Sequence, residues 1–99
     1  MNNVYILKET DPEGRRRSWA FTSAERAVKF IQKEGWENLS EYIRSKDNKK
    51  ILMKVNIDDY RPADLARSLK SGKGVSGELK FSGNHFMIES MKVNPIGEY

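Results

Sequence analysis

"TSAERAVKFIQKEG", residues 22–35, is the clearest element of the sequence, and the rest of the fold is arranged around it. Ala24, Ala27, Val28 and Ile31 fall at i, i+3, i+4 and i+7, one apolar helical face. Glu25, Arg26, Lys29, Gln32 and Lys33 lie outside that face. Thr22, followed three residues later by Glu25, fits a capping box, and Gly35 suits the position just past a helix C-terminus.

Upstream, "NVYILKE" (3–9) sets Val4 and Ile6 against Tyr5 and Leu7, a strand with both faces partly covered. "TDPEG" (10–14) is dense in turn formers, so "RRRSWAF" (15–21) reads as the returning strand of a hairpin. Alternation puts Arg15, Arg17, Trp19 and Phe21 on one side and Arg16, Ser18 and Ala20 on the other. Trp19 and Phe21 are then expected in the core, with the arginine stems on the open end of the same face.

Downstream, Leu39, Tyr42 and Ile43 in "ENLSEYIRS" (37–45) keep helical spacing and predict a short second helix. "DNKK" (47–50) is a turn, and "ILMKVNI" (51–57) is a strand with Ile51, Met53, Val55 and Ile57 on one face. "DDYRPADLARSLKSG" (58–72) predicts a helix capped by Asp58 or Asp59, with Leu65, Ala66 and Leu69 inward. "SGELKFSGNHFMIESMKV" (76–93) predicts a hairpin around a Gly83-Asn84 turn. That register pairs Phe81 with Phe86 and Leu79 with Ile88, but sets Glu78 against Glu89. The expected fold is α+β: a single domain over residues 1–99 with a tail at 94–99, ordered ββααβαββ, its helices packed on one face of a mainly antiparallel sheet.

Composition narrows the function classes. Ninety-nine residues suffice for one core. Hydrophobic residues make up 37% and charged residues 32%, polar for a globular chain but too patterned for disorder. The lack of cysteine excludes disulfides and thiolate zinc sites and fits a reducing cytoplasm. "MNNVYILKET" has no signal-peptide pattern, and no run approaches the ~20 apolar residues of a membrane span. The net charge of +4 is concentrated: residues 15–17 contribute +3, and "RPADLARSLKSGK" (61–73) contributes another +3.

No constellation identifies a reaction. The single histidine, His85, shares a strand face with Met87 and Glu89, so a His–Glu pair is conceivable, but an exposed strand histidine is the plainer reading. Asp58 and Asp59 are adjacent, and successive residues do not face one another, so they suit a cap better than an acid pair. "GKGVSG" (72–77) matches G-x-G-x-x-G, but in the order helix, glycines, strand, the reverse of the dinucleotide-binding arrangement. It reads as a helix C′ glycine followed by a flexible connector. No metal and no cofactor are expected.

Two functions are expected ahead of a third. The first is a small non-enzymatic protein contacting nucleic-acid phosphates through Arg15, Arg16, Arg17, Arg67, Lys70 and Lys73, since guanidinium forks suit phosphate oxygens. The second is a protein-interaction module, an inhibitor or adaptor of a larger enzyme such as a phage-type accessory protein, presenting its hairpin tip, outer sheet face or an edge strand. A small hydrolase-like enzyme is the distant third. Against the first, residues 8–17 also hold Glu9, Asp11 and Glu13 and sum only to +1, so the hairpin tip can neutralise itself.

Overall fold

The computed structural model describes residues 2–45, 47, 49–57 and 60–93. In chain order the elements are Asn2–Thr10 (β1), Arg16–Phe21 (β2), Ala24–Gln32 (α1), Trp36–Arg44 (β3), Ile51–Ile57 (β4), Pro62–Lys70 (α2), Gly74–Leu79 (β5) and His85–Val93 (β6). The strands form one six-stranded sheet, β2-β1-β6-β5-β3-β4, in which every neighbouring pair is antiparallel. The order is therefore ββαββαββ, an α+β fold as expected, with one helix exchanged for a strand.

That exchange is at Trp36–Arg44. The spacing of Leu39, Tyr42 and Ile43 imitates a helix because β3 is buried on both faces. Leu39 enters the core, whereas Tyr42, 2% exposed, lies on the opposite side of the sheet. Asn38 adopts the left-handed conformation (φ 54°), which asparagine tolerates better than most residues, and the β3–β5 register slips there. Past that slip Leu39–Ile43 alternates regularly against β4, but with apolar side chains on both faces no period of two shows in the sequence.

Both helices pack on one face. α1 lies against β1 and β2, α2 against β5 and β6, and the two helices touch each other. Leu7, Ile31, Leu65, Leu69, Phe86 and Ile88 are the heart of the single core between helices and sheet. α1 is capped by Ser23 rather than Thr22, its Oγ accepting from the Arg26 amide at 3.1 Å. α2 starts from Arg61, whose amide donates to Asp64 at 3.2 Å. The cap assigned to Asp58 or Asp59, and the tail at 94–99, lie outside the described residues.

The last hairpin also departs from expectation. Val75 faces Ile88, Gly77 faces Phe86, and Glu78 faces His85, so the connection spans residues 80–84 and Phe81 is 91% exposed. The observed register removes the Glu78–Glu89 conflict and is held by glycine. A Cβ on Gly77 would stand 3.0 Å from Leu39 and 3.1 Å from the Phe86 ring. Residues 74–77 are thus a buried central strand, not a flexible connector; only Gly72 (φ +95°) ends the helix as expected.

Two helices cannot cover six strands, and the β3–β4 pair lies beyond them. Clasps on both faces hold it to the body. On the helix side Ser68 of α2 donates to Glu41 of β3. On the open side the Tyr42 ring lies across β5 at Gly74, where a Cβ would come within 2.3 Å of the ring. Over the ring, Arg44 reaches past β5 to Glu89 of β6 and donates to both carboxylate oxygens, at 2.5 and 3.0 Å. Burial, with Glu89 alongside, pushes the Tyr42 phenol far above its ordinary range, and its hydroxyl has no hydrogen-bond partner among the described residues.

Gly74→Ala should therefore cost about 1–3 kcal/mol through overpacking against Tyr42. Tyr42→Phe should be neutral or stabilising, because it removes an unsatisfied buried hydroxyl and keeps the ring. Denaturant melts of both variants check this; a costly Tyr42→Phe would mean that the hydroxyl is bonded.

Candidate interaction surface

The structure separates the two basic segments. Arg16 pairs with Thr10, which pairs with His85, at the end of the sheet carrying the β1–β2 turn. Lys73 precedes Gly74, which lies one residue past the row of Val75, Ile88, Leu7 and Trp19, toward the middle of β1 and β6. Gly74 thus stands four strand residues from the row of Arg16, roughly 13 Å along the strands.

Nor are most of these cations unaccompanied. Arg15 folds back on its own turn, its Nε 2.7 Å from Asp11 and its outer nitrogen 3.1 Å from Glu13. Arg67 lies 3.5 Å from Asp64, Lys70 is ion-paired with Glu25, and Lys73 stands 3.9 Å from Glu41. Arg16 and Arg17 form no ion pair within 4 Å among the described residues, but they point to opposite sides of β2.

Arg17 and Arg15 line a cleft of about 300 Å³ between the hairpin tip, the end of α1 and the β5–β6 turn. Its aromatic wall is Trp19 and Phe30, rings 5.0 Å apart, with Phe21 behind Phe30. Such a wall could stack a planar group. Glu9, Asp11 and Glu34 line the same cleft, however, leaving its charged side chains one negative in sum and repelling a polyanion.

The remaining chemical candidates separate too. His85 is exposed, and Glu89 is engaged by Arg44 rather than by the histidine. Among the described residues no three of His, Asp or Glu gather as a metal ion would require, and no helix is long and apolar enough to cross a membrane.

A run of exposed apolar side chains lies on β4. That strand ends the sheet, pairing with β3 on one side only. Ile51, Leu52, Met53 and Val55 are 44%, 67%, 56% and 49% exposed. Met53 stands opposite Ile43 and Val55 opposite Glu41, so Ile43, Met53 and Val55 form an apolar shelf on the helix side, just past α2. The shelf runs into the half-buried Ile57 and Tyr60 at the core margin. The alternation of 51–57 reveals the strand and an apolar face. It does not reveal that the strand is terminal and that no helix reaches this face, because strand order is set by pairings distant in sequence.

Comparison of the chain with protein-family models, with curated proteins and with solved structures finds no match.

The closed hairpin tip makes a titration prediction. The Arg15 amide foremost, and its guanidinium after burial's opposing effect, hold the exposed Asp11 carboxyl below the ordinary carboxylate range; the Glu13 amide adds to this. A depressed folded value means that the turn is held above the ordinary carboxylate range and loosens as pH falls through the lowered value. NMR titration should place Asp11 below an ordinary aspartate, and Arg15→Gln should restore only part of the difference. An ordinary midpoint in the unmodified chain would show Arg15 free to meet a ligand.

Proposed function

We propose that this chain is a non-enzymatic protein-interaction module that binds by adding a strand to β4. The observation that supports this reading is the pairing of an unused backbone edge with a run of exposed apolar side chains on that same strand. A strand edge is a row of donors and acceptors ready for another strand, and folded proteins blunt such edges with charge, proline or a bulge. β4 has a single charged residue, Lys54, and no proline, and its irregularity lies near its start, beside Ile43 and Arg44. Main-chain hydrogen bonds would supply affinity, and the shelf of Ile43, Met53 and Val55 would supply side-chain contacts.

This reading is preferred to phosphate contact because the six expected basic residues do not share a face and four of them stand against carboxylates. The open sheet face carries Lys8, Arg16 and Lys54, but its aromatic side chain, Tyr42, is buried against Gly74 and offers no exposed ring for a base to stack upon.

Met53→Lys with Val55→Lys separates the two readings. Both positions are exposed, and a lysine at 55 faces Glu41, so the fold and melting temperature should hold. Retention of protein from nuclease-treated host lysate should fall at least roughly tenfold, since removing central apolar contacts costs more than about 1.4 kcal/mol. Retention that survives the lysines but disappears with nuclease would favour the nucleic-acid reading.

A further inference from the structure

Independently of the reading of β4, we infer that the cleft beside the first hairpin is a recognition site for a guanidinium group, that of an arginine. The cleft is built on β2, at the opposite edge of the sheet from β4. What repels a polyanion there attracts a cation, and the wall selects for one that is flat. Trp19 and Phe30 form that wall, and Phe30 is 40% exposed although its side chain is large and apolar. An indole attracts a cation more strongly than any other aromatic side chain. Two rings tilted at 45° make a wall rather than a closed cage. A planar guanidinium can lie against one of them, whereas a quaternary ammonium is held by rings on several sides.

The charges complete the match. Arg15 is consumed by Asp11 and Glu13 within the hairpin tip. The other charged groups of the cleft are Glu9, Glu34 and Arg17, and none has an ion-pair partner within 4 Å among the described residues. Asn84 donates to Oε1 of Glu9 at 3.0 Å, which fixes that carboxylate and leaves its Oε2 as an acceptor. Carboxylates beside an aromatic wall suit the forked, planar donors of a guanidinium better than the point charge of an ammonium. Arg17 stands opposite Glu9 and two residues from Trp19 on the same side of β2, where it can receive a carboxylate carried by the ligand. Free arginine brings two positive groups and one carboxylate at neutral pH, the complement of two carboxylates and one guanidinium. At about 300 Å³ the cleft is at the small end of ligand cavities, the scale of one amino acid.

NMR titration of the purified chain tests the inference, read at the Trp19 indole N–H and the Asn84 side-chain amide. The probes are free arginine, an end-blocked glycyl-arginyl-glycine peptide, lysine, and citrulline, which has the shape of arginine without its charge. At least one of the two guanidinium probes should shift both signals saturably, about tenfold more tightly than lysine or citrulline. Glu9→Gln with Glu34→Gln should weaken that binding by about tenfold at an unchanged melting temperature, because glutamine can still accept from Asn84. Arg17→Gln identifies the source of the guanidinium. Peptide binding that survives this change assigns the site to an arginine side chain of a protein partner. Binding of free arginine alone, lost with this change, assigns it to the free amino acid. No saturable shift with either guanidinium probe, equal binding of lysine or citrulline, or indifference to the paired glutamines overturns the inference. Met53→Lys with Val55→Lys should leave the titration unchanged, so this site and the β4 edge stand or fall separately.

Discussion

The absence of a side chain at Gly74 is the constraint on which the outer half of this fold depends. Two nine-residue helices cover four strands, and the β3–β4 pair must be held by other means. Because Gly74 leaves the surface of β5 bare, the Tyr42 ring can lie flat across it and be buried on a face that no helix covers. Arg44 then spans the same gap to Glu89, binding β3 to β6 over the intervening strand. Ser68 and Glu41 do the equivalent work on the helix side. Held on both faces, β3 is a stiff support, and β4 hangs from it with its other edge unused.

This arrangement accounts for what the sequence disclosed and what it concealed. α1 and α2 were legible because each buries a single stripe, giving a clean helical period in Ala24, Ala27, Val28 and Ile31 and in Leu65, Ala66 and Leu69. The first hairpin was legible from the turn chemistry of 10–14 and the alternation of Trp19 and Phe21. β3 was not, since Leu39 and Tyr42 carry apolar bulk to opposite faces, which with Ile43 produces a spurious helical spacing. The glycines of 72–77 suggested mobility. Gly72 ends α2, whereas Gly74 and Gly77 give clearance to Tyr42, Phe86 and Leu39, and such clearance depends on partners more than thirty residues away or in the neighbouring strand.

The candidate site was half legible for a related reason. Sequence charge identifies where cations are concentrated, but not what folds against them. Asp11 and Glu13 lie in the same turn as Arg15, so their compensation could be anticipated from the local sum of charges. Glu25 and Glu41, which meet Lys70 and Lys73, come from other elements and could not. Four of the six cations singled out are thus paired at the surface, and such exposed pairs add little to stability. The apolar face of 51–57 was legible as a face, but not whether anything covers it: alternation shows that a side is apolar, whereas the neighbours that would cover it are decided by topology.

The central claim is that β4 is firmly held on one side and open on the other. Residue-resolved amide hydrogen exchange measures this directly. Amides along 51–57 should alternate, those bonded to β3 exchanging slowly and the intervening ones fast. Uniformly fast exchange would contradict the clasps, and uniformly slow exchange in dilute solution would contradict the open edge.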